Sequence, residues 1–260
     1  MTDTKVLAPG TFCWCEVGTA NARVATKFYG DLFGWTAREM PAGDAGAYTM
    51  LEIDGRNLGG LYELSRDMLD RGVPPHWLAY VKVAKVDDAA QKATELGGRV
   101  VMGPFDVMTA GRMAVVQDPT GGTFAMWEPH EHAGAAAMGE IGTPCWYELT
   151  STDKAEAGAF YAALFSWTLE TFLGAMDYTI FKNGELSVGG LMQCPEGADA
   201  VPSHWTIYFS VEDCDATVAK AERLGGKVVA PAMDVPTVGR MAFLADPGGA
   251  IFAVIRLTSA

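Results

Sequence analysis

The sequence predicts an α+β fold built from four βαβββ modules, two in each of two tandem halves. Three observations lead to this prediction. The chain of 260 residues repeats itself after about 130 residues. Strand-like and helix-like segments follow the same order in both copies. A composition of 49% hydrophobic and 20% charged residues is typical of a globular protein long enough for two ordinary domains.

The repeat is visible in five pairs of segments that keep their order along the chain. The pairs are "FYGDLFGW" (28–35) with "FYAALFSW" (160–167), "LGGLYEL" (58–64) with "VGGLMQC" (188–194), "HWLAYVKV" (76–83) with "HWTIYFSV" (204–211), "ELGGRVV" (95–101) with "RLGGKVV" (223–229), and "GRMAVVQDPTGGTFA" (111–125) with "GRMAFLADPGGAIFA" (239–253). Because the order is kept and the gaps are short, the repeat indicates a duplication.

The first module begins with a strand followed by a helix. Residues 11–17 alternate between apolar and other side chains, which is typical of a strand. The helix that follows carries apolar residues at three- and four-residue spacing: Ala25, Phe28, Tyr29, Leu32 and Phe33. Either Asn21 or Thr19 is expected to cap its start. Short strands are predicted near 47–53, 57–63 and 77–83, and the last of these opens the second module.

The second module repeats this plan. A helix is predicted from Asp87 to Leu96, with an Asp as N-cap and Gly97 just past its end. Strands near 99–102, 112–117 and 123–127 follow, and the turn "DPTGG" joins the last two. The same description applies to residues 143–257.

The domain boundaries follow from the repeat and from a segment without periodicity. The stretch "EPHEHAGAAAMGE" (128–140) is rich in Ala and Gly and indicates a linker. We predict a first domain over 1–131, a linker over 132–141 and a second domain over 142–260. The cluster Glu128, His130, Glu131 and His132 could bind a metal, but a solvated linker is favoured because the second half has no counterpart.

Charge and composition exclude several classes of partner. The formal net charge is −13, which disfavours binding to nucleic acid or to an anionic membrane surface. Without a long apolar run or an apolar leader at the start, the sequence favours a cytoplasmic protein. The five cysteines are odd in number and are interpreted as reduced. Because the four modules can pair with one another within one chain, we expect a monomer.

The chain resembles the vicinal oxygen chelate superfamily, which includes glyoxalase I, bleomycin-resistance proteins and extradiol dioxygenases. The residues that carry the resemblance are "FYGDLFGW", "FYAALFSW", the "LGG" and "VGG" motifs, and "GRMA…DP" near the end of each half. The resemblance implies two tandem glyoxalase-like domains, each a cup of curved sheet made from two modules. It is similar in particular to two-domain, glyoxalase-like proteins, some of which are labelled hydroxylases.

The resemblance also implies a divalent metal held by His, Glu or Gln on the first and last strands of the modules. Counting from the motifs places the ligand positions at Trp14, Leu78, Ala125, Trp146, Thr206 and Ala253. Apart from the weak Thr206 hydroxyl, none of these binds a first-row metal. A site shifted by two residues offers one Glu and one His per half, but no third ligand. We therefore predict no cofactor, with a divalent metal as the less favoured alternative.

The candidate site residues come from the alternation of side chains along strands. The face away from the helices is predicted to carry Trp14, Glu16, His76 and Tyr80 in the first half, and Trp146, Glu148, His204 and Tyr208 in the second. Arg112 and Arg240 are candidate partners for the two carboxylates. Each assignment has a structural alternative: a bracing Glu–Arg pair, a strand-start His bonded to the backbone, and Trp packed on the sheet.

Two hypotheses about function remain open at this point. The first is a small-molecule binder of the bleomycin-resistance type, whose aromatic and acidic residues suit an aromatic or cationic ligand. The second is an enzyme, a glyoxalase-like lyase, an isomerase or a hydroxylase, in which Glu16 or Glu148 is a catalytic general base. The first is favoured because the ligand set for a metal is incomplete.

Overall fold

The described part of the computed structural model covers residues 7–41, 47–172, 177–195 and 201–258. Within these ranges the chain forms two eight-stranded sheets with helices. The first half contains, in order, β1 (Phe12–Thr19), α1 (Ala22–Phe33), β2 (Thr36–Pro41), β3 (Ala47–Ile53), β4 (Arg56–Glu63), α2 (Arg66–Asp70), β5 (His76–Lys82), α3 (Val86–Glu95), β6 (Arg99–Val107), β7 (Gly111–Gln117) and β8 (Thr123–Pro129).

The second half repeats these elements except for a counterpart of α2 among its described residues. It contains β9 (Pro144–Ser151), α4 (Lys154–Phe165), β10 (Thr168–Phe172), β11 (Tyr178–Asn183), β12 (Leu186–Gln193), β13 (His204–Ser210), α5 (Cys214–Arg223), β14 (Lys227–Val235), β15 (Gly239–Ala245) and β16 (Ile251–Leu257). The strand orders are β2-β3-β4-β1-β5-β8-β7-β6 and β10-β11-β12-β9-β13-β16-β15-β14. The first strand of each module runs parallel to the last strand of the same module: β1 with β4, β5 with β8, β9 with β12 and β13 with β16. The predicted α+β fold of four βαβββ modules is confirmed.

Three elements were not predicted from the sequence: β2, its counterpart β10, and the short helix α2. All six residues of β2 are exposed, so the strand shows no alternation of apolar and polar side chains. It pairs with β3 along its whole length and forms the edge of the sheet. Edge strands with polar residues on both faces give no periodic signal, which explains the omission.

The N-cap of α3 differs from the prediction. Asn21 caps α1 as one of the two expected candidates, by accepting from the Val24 amide. Helix α3, in contrast, begins at Val86 after Lys85, which makes no side-chain cap. The carboxylate of Glu128 on β8 accepts from the Val86 amide instead, at 3.0 Å. The predicted Asp cap is therefore wrong, because a residue distant in sequence satisfies this donor.

The chain divides into two compact units, and each unit combines one module from each half. Of the described residues, the unit named here the Glu16 unit contains 14–41, 47–78, 135–145 and 207–258. The Glu148 unit contains the described residues 7–13, 79–134, 146–172, 177–195 and 201–206. The domains predicted from the repeat are continuous in sequence, whereas each compact unit combines segments from both halves. The boundaries stay a prediction.

A buried hydrogen-bond network holds the two modules of the Glu16 unit together. The indole N–H of Trp77 donates to the Tyr29 hydroxyl at 2.9 Å, and this hydroxyl donates to Asp246 at 3.0 Å. The other carboxylate oxygen of Asp246 accepts from the amides of Gly248, Gly249 and Ala250. Burial, followed by the charge of Asp246, raises the pKa of Tyr29, so the phenol is a neutral donor.

The Glu148 unit contains the same network in its own modules. The Trp205 indole donates to the Tyr161 hydroxyl at 2.8 Å, and Tyr161 donates to Asp118 at 2.9 Å. Asp118 in turn accepts from the Thr120 and Gly122 amides of the predicted "DPTGG" turn. Because these groups are satisfied, their burial in the aromatic core is not penalised.

None of the helices among the described residues combines the length and the apolar character that a membrane-crossing helix needs.

Candidate functional site

The candidate site begins on β1, whose side chains alternate between two faces. Cys15 and Val17 are fully buried on one face. Glu16 lies on the other face, opposite Gly60 of β4, and Met50 of β3 also lies opposite Gly60. The helix side is identified in the equivalent strand of the second half, where Leu149 lies opposite Leu191 of β12, and Leu191 packs against Gly158 of α4. Glu16 is therefore on the face away from the helices, as its position in the strand predicts.

Three side chains form a hydrogen-bonded array on this face, named here the first Trp–Tyr–Glu array. The Trp14 indole N–H donates to the Tyr48 hydroxyl at 3.0 Å, and that hydroxyl donates to Glu16 Oε2 at 2.9 Å. Burial and then the charge of Glu16 raise the pKa of Tyr48 well above its ordinary value. The phenol thus stays protonated and orients the carboxylate, which is only 8% exposed.

Gly60 makes room for this array. A Cβ at residue 60 would overlap the Tyr48 hydroxyl and its ring carbon, so any other residue would displace the tyrosine. A glycine is needed at the neighbouring position 59 for a different reason: a Cβ there would lie 2.8 Å from the backbone oxygen of Cys15. The "LGG" motif is therefore a strand segment at which backbone and side chains approach closely.

The Glu148 unit holds the second Trp–Tyr–Glu array with the same connections. The Trp146 indole donates to the Tyr178 hydroxyl at 2.8 Å, and Tyr178 is hydrogen-bonded to Glu148. Glu148 lies opposite Gly190 of β12, where a Cβ would overlap the Tyr178 hydroxyl. Burial and the charge of Glu148 raise the pKa of Tyr178 as well. The duplication has thus preserved a complete polar array in both copies.

Tyr48 and Tyr178 were not among the residues predicted from the sequence. A signal was present, since "AYTM" (47–50) answers "DYTI" (177–180). In both copies the tyrosine precedes the second Gly of the "GG" pair by the same number of residues. Strand alternation alone could not show that the hydroxyl reaches across β4 to β1, because that depends on the register of three strands.

The two predicted histidines start their strands and bond to the backbone. His76 Nδ1 lies 2.8 Å from the Pro74 carbonyl oxygen, and His204 Nδ1 lies 2.8 Å from that of Pro202. His76 Nε2 is 3.4 Å from the hydroxyl of Tyr62 on β4. Burial and the charge of Glu16 raise the pKa of Tyr62, so this phenol is also neutral. The structure therefore brings Trp14, Glu16 and His76 into one unit.

The predicted tyrosines Tyr80 and Tyr208 lie in the second module of each half. Tyr80 belongs to the Glu148 unit, where its hydroxyl is 3.9 Å from the Met113 sulfur. Tyr208 belongs to the Glu16 unit, where its ring lies 5.7 Å from that of Phe243. Both are almost fully buried. Each of these tyrosines is thus packed inside the second module of its half.

Arg112 and Arg240, the predicted candidate partners for the carboxylates of Glu16 and Glu148, bind aspartates instead. Arg112 donates to both carboxylate oxygens of Asp87, at 2.7 and 3.0 Å, and to Asp106 at 3.0 Å. Arg240 makes the same contacts with the counterparts Asp215 and Asp234. These bonds lower the pKa of Asp87 and Asp215. Arg112 on β7 thus joins α3 to β6, and Arg240 on β15 joins α5 to β14. Met113, the neighbour of Arg112, faces Tyr80, so Arg112 points to the opposite face of β7.

The residues at the positions implied for a metal do not fit a metal ion. Trp14, Leu78 and Ala125, like Trp146 and Ala253, offer no oxygen, sulfur or imidazole ligand, and Thr206 offers one hydroxyl. Among the residues that the structure describes, no three His, Cys, Asp or Glu side chains form a metal-binding group. Glu128 of the "EPHEH" segment is bonded to Lys85 at 2.7 Å and to the Val86 amide.

Four βαβββ modules in two mixed eight-stranded sheets, with polar arrays on the face away from the helices, define a glyoxalase-like protein. The family model of the "Glyoxalase/Bleomycin resistance protein/Dioxygenase superfamily" matches residues 11–126 and 144–254. The chain therefore belongs to this superfamily, as the sequence motifs indicate.

Curated relatives match this chain over nearly its whole length. The chain is 40% identical over 251 residues to "Putative glyoxylase CFP32" of Mycobacterium tuberculosis, covering 95% of each chain. It is 34% identical over 264 residues to "Anthracycline biosynthesis protein DnrV" of Streptomyces peucetius, covering 96% of this chain and 94% of that protein.

Solved structures with low sequence identity share the fold. The Mn(II)-bound glyoxalase from Novosphingobium aromaticivorans matches with a TM-score of 0.64 at 14% identity, over 95% of this chain and 82% of that one. The 2,3-dioxygenase LapB from Pseudomonas sp. KL28 matches with a TM-score of 0.66 at 12% identity, over 98% and 94%. These similarities establish the fold.

Proposed function

We propose that this protein binds a small, flat aromatic molecule with a cationic group, using the Trp–Tyr–Glu array in each half. The observation that carries the proposal is the duplicated array itself. Each copy places an indole, a phenol and a buried carboxylate on a sheet face away from the helices. Aromatic walls with a few fixed polar groups are typical of small-molecule sites.

The chemistry of the array favours a cationic aromatic ligand. An indole and a phenol offer ring faces for stacking, and each carboxylate is held in place by a neutral hydroxyl donor. A net charge of −13 also favours the approach of cations. A relative at 34% identity is named for anthracycline biosynthesis, and anthracyclines combine flat rings with an amino sugar.

The proposed site excludes Arg112 and Arg240, and it does not require a metal. Both guanidinium groups are engaged by aspartates. The side chains at the positions implied for a metal supply too few ligands, so no step of binding is assigned to one. The proposal is that of a binding protein of the bleomycin-resistance type.

A titration with an anthracycline tests this function directly. We expect saturable binding by calorimetry, with an increase in melting temperature on ligand addition. Replacing both acids, Glu16→Gln with Glu148→Gln, keeps an acceptor for Tyr48 and Tyr178 but removes the charges. The double variant should bind the cationic drug at least about tenfold more weakly, because a charged hydrogen bond is lost, and the neutral aglycone almost unchanged.

The matched control is Glu222→Gln, which removes a charge from an exposed position on α5. It should bind both compounds like the natural protein. Equal binding by the natural protein and the Glu16/Glu148 double variant would refute the role given to the carboxylates. The absence of any binding would refute the function.

A second candidate function is an enzyme of the lyase or hydroxylase type. It is favoured by the relative named as a glyoxylase and by the 2.9 Å bond that orients the Glu16 carboxylate as a general base. Turnover of hemithioacetals, formed from an α-oxoaldehyde and a thiol, tests the lyase. The Glu16→Gln, Glu148→Gln variant should lose turnover at an unchanged melting temperature. Unaltered turnover would exclude these residues as the base.

A further inference from the structure

The two copies of the array share three residues but differ in the side chain next to them. Tyr62 lies directly opposite Tyr48 across the β3–β4 pair. Met192 takes the same place opposite Tyr178 across β11 and β12. Both positions alternate in step with Gly60 or Gly190, so they lie on the face that carries the array. The first copy therefore adds a hydroxyl where the second adds a thioether.

The residue opposite this position on the neighbouring strand, β1 or β9, also differs between the two copies. Tyr62 lies opposite Gly18 of β1, and a Cβ at Gly18 would be 2.8 Å from the Tyr62 hydroxyl. In the second copy Thr150 lies opposite Met192. A tyrosine at position 192 would meet the Thr150 side chain, whereas a flexible methionine adapts to it. The pairs Gly18–Tyr62 and Thr150–Met192 are thus two alternative solutions to the same packing problem.

The histidine beside this position fixes the hydrogen-bonding role of Tyr62. The Pro74 carbonyl can only accept, so His76 Nδ1 carries the proton in this contact. With Nδ1 as the donor to Pro74, Nε2 is left able to accept from the Tyr62 hydroxyl, which lies 3.4 Å away. The oxygen of Tyr62 keeps its lone pairs for a donor group on a ligand. His204 makes the same backbone contact but faces no hydroxyl at position 192.

The outer edge of the face has also diverged. Met40 in β2 lies opposite Tyr48, and its counterpart Phe172 in β10 lies opposite Tyr178. The ring of Phe172 stands edge-on to Tyr178, with centroids 6.1 Å apart. Each copy thus carries one methionine and one further aromatic ring beside the array, but the second copy has a phenylalanine where the first has a tyrosine hydroxyl, and is more apolar.

We propose that the two halves hold two different ligand sites, and that residues 62 and 192 determine their specificity. The first-half site binds ligands that donate a hydrogen bond to the Tyr62 hydroxyl. The second-half site binds apolar aromatic rings against Met192 and Phe172. This inference rests on the proposed function, since it assigns a ligand class to each copy of the same array.

Two planar probes test the assignment: 2,6-dihydroxyanthraquinone, whose phenol groups are free to donate, and unsubstituted anthraquinone, which carries no donor. Tyr62→Phe removes one oxygen atom and preserves the ring. It should weaken the binding of the hydroxylated probe at one site by about five- to tenfold, the effect of one hydrogen bond, and leave anthraquinone unaffected. Met192→Ala should instead weaken anthraquinone.

A transplant supplies the complementary test. Met192→Tyr with Thr150→Gly should create a second site that prefers the hydroxylated probe, while Met192→Tyr alone should melt at a lower temperature because of the clash. Melting curves of every variant establish that binding is compared between folded proteins.

The outcomes separate the two proposals. If neither probe binds the natural protein although an anthracycline does, this inference is overturned and the proposed function stands; if the anthracycline does not bind either, both are overturned. If both probes bind but Tyr62→Phe leaves the preference unchanged, the function stands and the specificity assignment is wrong.

Discussion

The hydroxyl of Tyr29 donates a hydrogen bond of 3.0 Å to Asp246, a residue 217 positions later in the chain. Tyr29 lies in the first module and Asp246 in the last, and both belong to one compact unit. Tyr161 and Asp118 form the equivalent bond in the other unit. The duplication therefore did not yield two halves packed only on themselves; each core is completed by a module from the other half.

Removing the Tyr29 hydroxyl should destabilise the protein without affecting a ligand. Tyr29→Phe leaves the Trp77 donor and one Asp246 oxygen unsatisfied in a buried site, at a cost of about 1–3 kcal/mol. Denaturant unfolding measures this change. Tyr62→Phe is the control, since its 3.4 Å contact is long and its loss should cost much less. Equal stability of the two variants would contradict the role of the network.

A methyl group at position 60 should disrupt the first array. Gly60→Ala places a Cβ into the Tyr48 hydroxyl, so the tyrosine must move away from Trp14 and Glu16. We expect a loss of about 1–3 kcal/mol from overpacking and weaker ligand binding in that half. Adding Tyr48→Ala should remove the clash. The effects on unfolding free energy must therefore be non-additive in a double-mutant cycle, and strict additivity would refute the overlap.

Stability should fall steeply in alkaline solution. The pKa values of Tyr29, Tyr48, Tyr62, Tyr161 and Tyr178 are all raised in the fold, first of all by burial. The unfolded chain releases these protons near pH 10, while the folded chain retains them. The stability that depends on the neutral phenols is present below about pH 10 and is lost as the pH rises above it.

Thermal unfolding between pH 8 and pH 11 measures this loss. Tyr161→Phe should lower the stability at pH 8 and reduce the slope of stability against pH above pH 10, because one titrating group is gone. A slope identical to that of the natural protein would show that Tyr161 titrates normally in the fold.

Removal of divalent metal should leave the protein and its ligand binding unchanged. The positions that the family resemblance implies for a metal carry indole, aliphatic and single hydroxyl groups. Dialysis against a chelator, followed by elemental analysis and melting, tests this expectation, with added Mn²⁺ as the reverse experiment. Stoichiometric metal whose removal lowers the melting temperature would overturn the interpretation of these positions.

Local periodicity predicted most elements of the fold but not all of them. The apolar spacing of α1 places Ala25, Phe28, Tyr29 and Leu32 in the core, and all four are buried. The strand β2 was not predicted, because none of its residues is buried and its sequence shows no apolar alternation. The acid on β1 was assigned to the correct face by counting alone, since Glu16 alternates with the buried Cys15 and Val17.

The partners of that acid could not be predicted in the same way. Arg112 was a reasonable candidate by charge, yet its side chain is engaged by Asp87 and Asp106. Tyr48 reaches Glu16 because Gly60 leaves the space between them open. Both facts depend on the register of neighbouring strands, which no single segment encodes.

The sequence by itself determined the duplication, the order of elements and the face on which Glu16 and Glu148 lie. It could do so because spacing along a strand or helix is a local property of the chain. Only the tertiary structure decided that Tyr48 and Tyr178 complete the arrays, and that Tyr29 is joined to Asp246. These contacts arise when separate segments pack together, and the same pattern of apolar residues is compatible with several such packings.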